Sequence, residues 1–149
     1  MIASKNCINL IKKFEGLFLK SYLCPANVAT IGYGSTMWSD GRKVKLGEVV
    51  SLEGAEKLLM WELGKKSVCL QGLNLNQNQF DALLSFIYNV GEGAFKKSTI
   101  LKLIKLNPMD KGIRDQFMRW VNKGSSFEKG LTRRRKAEAD LYFTMITSP

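Results

Sequence analysis

Three side chains that are capable of chemistry lie close together near the start of the chain: Glu15, Cys24 and Thr30. A carboxylic acid held in an apolar cleft can protonate a leaving group near neutral pH. The glutamate ends a helical pattern and is followed by Gly16, so it is predicted where a helix joins a turn-rich segment. Taken alone the signal is weak, because an isolated glutamate at a helix end is more often a solvated surface residue.

The elements that must position this trio change in character along the chain. Apolar residues at helical spacing predict a first helix over 4–14, and short apolar runs between glycines predict a small β-rich segment from Tyr22 to about Val50. Helical patterns then return over 51–70, 76–90, 97–106, 108–121 and 131–146, with Pro108 at a helix start. The predicted fold class is therefore α+β, mainly helical.

The length of 149 residues fits a single domain. We expect a small β-containing N-terminal lobe over about residues 15–60. A larger helical C-terminal lobe is expected over about 61–149, together with the N-terminal helix. A cleft between two such lobes is a common place for a ligand, and the trio would line one side of it.

The net charge of +10 favours polyanionic partners, without choosing among nucleic acid, an acidic membrane surface and an anionic cell-wall polymer. Three widely spaced cysteines and the absence of histidine argue against a structural zinc site and favour synthesis in a reducing compartment. The apolar runs are too short for a secretory signal or a membrane span. We therefore expect no metal, no signal segment and no membrane insertion.

Residues 14–36, FEGLFLKSYLCPANVATIGYGST, resemble the signature of the phage-type lysozymes, the endolysin muramidases of glycoside hydrolase family 24. That signature consists of a glutamate, eight residues, an aspartate or cysteine, five residues and a threonine. The spacing of Glu15, Cys24 and Thr30 matches it. Two later blocks are also similar: 79–91 resembles the family's central helix and 130–138 its C-terminal helix. The similarity covers nearly the whole chain.

The resemblance implies a lysozyme-like fold and hydrolysis of the β-1,4 bond between N-acetylmuramic acid and N-acetylglucosamine in bacterial peptidoglycan. Glu15 would be the general acid, Thr30 would help to place the attacking water, and Cys24 would act opposite the acid. Such an inverting arrangement keeps the two catalytic groups about 6.5–9.5 Å apart.

Supporting residues follow from the same resemblance. Tyr33 and Gly34 would support the site or contact substrate. An arginine of the C-terminal block would pair with the catalytic glutamate, with Arg134 as the candidate and Arg133 or Arg135 as alternatives.

The resemblance further implies a monomer that needs no metal or organic cofactor, has peptidoglycan as its partner and does not require nucleic acid. Family members of this type accumulate in the host cytoplasm and reach the wall through a membrane lesion made by another protein. The same route is expected for this chain.

Three interpretations of Cys24 remain open, because a thiol of ordinary pKa is only partly ionised at neutral pH. It is a thiol or thiolate that positions water, a covalent nucleophile, or a neutral packing residue. A nearby Arg134 or Arg135 would lower its pKa and favour the first interpretation.

Other functions also fit parts of the sequence. A lytic transglycosylase needs one essential acid and forms a 1,6-anhydro ring, so the cysteine in place of an aspartate keeps this alternative open. A basic nucleic-acid binder would use the C-terminal arginines on phosphates. A wall-binding protein without catalysis is the remaining alternative.

Overall fold

The computed structural model of the chain describes residues 1–146. Within them the elements are α1 (Lys5–Glu15), β1 (Phe18–Leu23), β2 (Ala29–Gly32), α2 (Leu52–Lys66), a 3-10 helix (Ser67–Leu70), α3 (Gln77–Val90), α4 (Glu92–Lys96), α5 (Thr99–Leu106), α6 (Gly112–Phe117) and α7 (Glu128–Tyr142). The described part is mainly helical and contains a small two-stranded sheet. The predicted α+β class is confirmed.

The chain divides into two compact units. The hairpin unit, Ile11–Lys65, contains the end of α1, both strands and most of α2. The helical unit contains Met1–Leu10 and the chain from Lys66 onward, with helices α3 to α7.

The strands of the hairpin unit are antiparallel, with Tyr22 opposite Thr30 and Leu23 opposite Ala29. After β2 the chain reverses sharply, and Ile31 and Ser35 exchange two backbone hydrogen bonds of 2.8 Å. This reversal requires the left-handed φ of +93° at Gly34, a conformation that glycine adopts without steric cost. The turn therefore fixes the end of β2.

An apolar cluster holds the sheet against α2 within the hairpin unit. Ile31, Val44 and Leu58 are buried at its centre, and the rings of Trp38 and Trp61 pack around them.

The helical unit is built around α3, which buries every residue from Gln79 to Ile87 and packs against α7. Its Phe86 ring meets the rings of Phe95, Phe117 and Trp120 edge to face, at centroid distances of 6.5, 5.4 and 5.5 Å. Edge-to-face contact is a favourable geometry for aromatic rings. The predicted helix over 76–90 and its role in the core are confirmed.

Three predicted boundaries are wrong. The β segment starts at Phe18 rather than Tyr22, because backbone pairing with the 31–50 region already begins there. The helix predicted over 108–121 shortens to α6, and the carbonyl of Pro108 instead accepts a hydrogen bond of 2.7 Å from the Tyr142 hydroxyl. The last helix begins at Glu128 instead of residue 131 and ends at Tyr142; residues 147–149 lie outside the described part.

Candidate active site

The last turn of α1 positions Glu15. The helix ends there because Gly16 takes a left-handed φ of +72°, and its N–H donates to the carbonyl of Lys12 at 3.1 Å. Glu15 is half-buried and is separated from β1 by two residues. The carboxyl group is thus held at the junction of the helix and the hairpin, as the sequence predicts.

A tight turn between the strands positions Cys24. The N–H of Cys24 donates to the carbonyl of Val28 at 3.0 Å, and the N–H of Asn27 donates to the carbonyl of Cys24 at 2.8 Å. Asn27 has a φ of +64°, a left-handed conformation that asparagine tolerates better than most residues. The turn leaves the thiol half-buried at the end of β1.

Backbone amides stabilise the ionised form of this thiol. The pKa of Cys24 is lowered, chiefly by a hydrogen bond from the Val28 N–H, and further by the Ala26 N–H and the Thr30 hydroxyl; partial desolvation opposes them. The sequence predicts such a lowering from an arginine, whereas the largest cause here is the turn itself. Hydrogen bonds to a charged form favour that form, so the geometry disposes Cys24 toward the thiolate.

Thr30 lies on β2 beside the turn. Its side chain is buried and its hydroxyl donates to the carbonyl of Val28 at 2.9 Å. The hydroxyl also lies within hydrogen-bonding reach of the Cys24 thiol. Thr30 and Cys24 therefore form one small polar cluster beside the turn of the hairpin.

Tyr22 lies near both the acid and this turn, and it is not among the residues predicted from the sequence. The pKa of Tyr22 is raised, first by burial and then by the negative charges of Glu15 and Cys24. Because both groups act on one phenol, the glutamate and the cysteine both lie near Tyr22. Pairing β1 with β2 across the 24–28 turn places residue 22 opposite residue 30, and this signal is present in the sequence.

Tyr33 and Gly34 belong to the reversal that follows β2. The Tyr33 ring is buried, and the ammonium of Lys12 lies 5.3 Å from its centroid. Lys12 also forms an ion pair of 2.7 Å with Glu56 of α2. These contacts attach the last turn of α1 to the reversal and to α2, and a supporting role of Tyr33 for Glu15 stays a prediction.

The arginines of the C-terminal block belong to the helical unit and differ sharply in exposure. Arg133 is exposed, whereas Arg134 and Arg135 are buried. Arg134 donates to Glu138 at 3.2 Å and to the carbonyl of Ser85 at 3.1 Å. Their pairing with Glu15 stays a prediction.

Arg135 completes a buried ionic cluster, made of Arg134, Arg135, Glu138 and Ser85. Its guanidinium lies 3.2 Å from Glu138 and 5.0 Å from the centroid of the Phe86 ring. Glu138 also accepts a hydrogen bond of 2.6 Å from Ser85. The sequence alone does not predict this cluster.

Within residues 1–146 no group of three or more potential ligands among His, Cys, Asp and Glu is placed to hold a metal ion. In the same described part, no helix combines the length and the apolar character needed to cross a membrane.

The hairpin unit thus carries an acid at the end of α1 and a turn that favours an anion at Cys24. The family model of phage lysozyme matches residues 12–138. The chain therefore belongs to the phage lysozyme family and is an endolysin, a glycoside hydrolase that degrades peptidoglycan for host lysis.

The relatives support this assignment over nearly the full length. An endolysin of Acyrthosiphon pisum secondary endosymbiont phage 1 is 38% identical over 150 residues, covering 95% of this chain and 98% of the relative. The solved endolysin from Escherichia coli O157:H7 phage FAHEc1 is 34% identical, with a TM-score of 0.84 and coverage of 100% of this chain and 98% of that one. A relative from bacteriophage PS119, 34% identical over 131 residues, is named a SAR-endolysin; the match covers 85% of this chain and 75% of that relative.

Proposed function

We propose that this endolysin hydrolyses the β-1,4 bond between N-acetylmuramic acid and N-acetylglucosamine, with Glu15 as the general acid. The observation that carries the proposal is a convergence of side chains: the strand register sets Tyr22 opposite Thr30, Thr30 lies beside Cys24, and Glu15 lies near the same tyrosine. This convergence supports a single reaction centre in the hairpin unit.

Cys24 acts in this proposal as the group that orients the attacking water. The two amides of its turn favour the thiolate, and a thiolate accepts a hydrogen bond from water more strongly than a neutral thiol does. Thr30 assists by fixing the water beside the thiol. The acid protonates the glycosidic oxygen while water attacks the opposite face of the sugar and gives up its proton to the Cys24 thiolate, which inverts the anomeric carbon.

Product chemistry distinguishes this proposal from its alternatives. Purified peptidoglycan would be digested and the soluble fragments analysed by mass spectrometry. We expect fragments that end in reducing N-acetylmuramic acid. Anhydro ends would show a transglycosylase, and the absence of fragments across several wall types would overturn a catalytic function.

The anomer formed first separates the two catalytic interpretations of Cys24. Proton NMR during early hydrolysis of soluble glycan fragments would detect the α-anomer if water attacks directly with inversion. A covalent intermediate on the thiol would give the β-anomer first, because two displacements retain the configuration. The first result supports the water-orienting role, and the second would replace it.

The partner and the route to it are also proposals. The positive charge would hold the monomeric protein on the anionic wall by an attraction that salt weakens. The protein would accumulate in the host cytoplasm and cross through a lesion made by another protein. Expression in a host without such a protein should leave the cells intact until the membrane is permeabilised; spontaneous lysis would indicate an export route of its own.

A further inference from the structure

Tyr22 occupies the centre of the proposed site. It lies directly opposite Thr30 in the antiparallel pair, and side chains at opposite positions project from the same face of a sheet. Thr30 is in turn next to Cys24. The strand register thus places the tyrosine, the threonine and the thiol in one contiguous row.

The Tyr22 ring is held in place by a second aromatic ring. Its centroid lies 4.3 Å from that of Phe18, with an angle of 43° between the planes. Phe18 lies on the same strand, and the bulge between the two residues brings their rings into contact. A ring fixed in this way loses little entropy when its hydroxyl binds a ligand.

The Tyr22 hydroxyl has no hydrogen-bond partner among residues 1–146, although the side chain is half-buried. A half-buried phenol normally binds a protein group, a water or a ligand. Burial and the two neighbouring anions raise the pKa of this phenol, which favours its neutral O–H form. Such a donor suits a group that carries lone pairs, such as a water molecule.

We infer that Tyr22 is a positioning residue whose hydroxyl, together with Cys24 and Thr30, holds the water that attacks the sugar. The inference rests on the proposed function and adds to it a group that fixes the oxygen of the water. Cys24 would accept one proton of this water in a hydrogen bond, and Tyr22 would donate to one of its lone pairs. The other lone pair remains directed at the anomeric carbon.

The substitution Tyr22→Phe tests the inference because it removes only the hydroxyl and keeps the ring against Phe18. Positioning of water affects the reaction step more than substrate binding, so we expect kcat on soluble peptidoglycan fragments to fall about tenfold while KM stays within about twofold. Tyr88→Phe is the matched control: this half-buried tyrosine of the helical unit has the Lys66 ammonium 5.9 Å from its ring centroid. We expect the control to retain the native kcat.

A double-mutant cycle supplies a readout that a purely structural role would not give. If both groups hold the same water, Tyr22→Phe should lower kcat by a much smaller factor in a Cys24→Ser background than in the native protein. An unchanged kcat in Tyr22→Phe, or a full and additive loss in both backgrounds, would overturn the inference. Neither result would affect the proposed function, which fails only if the native protein releases no reducing N-acetylmuramic acid ends.

Discussion

Two groups of ionisable side chains in this molecule contrast in how their charge is stabilised. At the hairpin, Cys24 is half-buried and its anion is favoured by backbone amides. In the helical unit, Glu138 is fully buried between Arg134 and Arg135, and burial raises its pKa against the opposing effect of both arginines. Backbone amides in a fixed turn can favour an anion that remains accessible to substrate and water. An ionic cluster inside a helical core is shielded from both. We therefore assign chemistry to the first region and stability to the second.

The largest expected effect comes from breaking the buried cluster. Glu138→Gln leaves the guanidiniums of Arg134 and Arg135 without this carboxylate, and removing one partner of a buried ion pair costs about 3–5 kcal/mol. Urea denaturation should show this loss in the free energy of unfolding. Asp140→Asn is the control on the same helix, because the pair of Asp140 with Arg114, at 2.8 Å, is exposed and its loss should cost about 0–1 kcal/mol. Equal losses in both variants would contradict the assignment.

Substitution of Cys24 should change activity and leave stability nearly unchanged. A hydrogen bond to a charged group is worth about 1.5–3 kcal/mol, so Cys24→Ser should lower the rate of peptidoglycan hydrolysis at least tenfold. Cys24→Asp should keep or raise the rate, since aspartate is the commoner family residue. An unchanged rate in Cys24→Ser would show that the thiol has no role in the mechanism.

The pH dependence sharpens this test. A lowered pKa means that the Cys24 thiolate is present above that pKa and is lost as the pH falls through it. Native activity should therefore decline on the acid side in a step that begins below the ordinary thiol value of about 8.5. In Cys24→Asp the same step should move to lower pH, because a carboxyl group ionises near pH 4. Rates would be measured from pH 4 to 9 for both proteins. If the rate falls at the same acidic pH in the native protein and in Cys24→Asp, the thiolate role is contradicted.

The smallest expected effect concerns Cys7 in the helical unit. Burial raises the pKa of this thiol, and the nearby Asp81 and Glu138 raise it further. Its contribution to stability is complete below the unfolded-state pKa of about 8.5 and is lost as the pH rises above it, by up to about 1.4 kcal/mol per pH unit.

Cys7→Ala should flatten the decline of the unfolding free energy between pH 8.5 and 10, measured by denaturant titration at each pH. The control is Cys69→Ala, because Cys69 is only half-buried and should alter the slope less. A slope for Cys7→Ala equal to that of the native protein would show that Cys7 ionises similarly in both states.

The residues proposed for the hairpin site lie close together in the sequence, whereas the ionic cluster joins distant parts of the chain. Glu15, Cys24 and Thr30 lie within sixteen consecutive positions, and a helix end followed by a turn brings them together without long-range information. Tyr22 required only the strand register. Glu138, by contrast, meets Ser85 from 53 positions away, and no spacing rule relates α3 to α7.

Predicted helix boundaries were wrong where tertiary packing outweighed local helix propensity. Pro108 is a favourable first residue for a helix, yet its carbonyl serves the buried Tyr142 hydroxyl and the helix begins at Gly112. The same tertiary influence separates the cysteines. Cys7 is buried, whereas Cys24 and Cys69 are half-buried.

The central claim is that Glu15 carries the chemistry of the hairpin site, and Glu15→Gln tests it most directly. The rate of peptidoglycan solubilisation would be measured beside the thermal unfolding midpoint, with Glu53→Gln, an exposed glutamate of α2, as the control. We predict a loss of about 10²–10⁴-fold for Glu15→Gln in a protein that is still folded at the assay temperature, and native activity for Glu53→Gln. A folded Glu15→Gln protein that retains activity within about tenfold of the native rate would contradict the account, because removal of a general acid costs more than that.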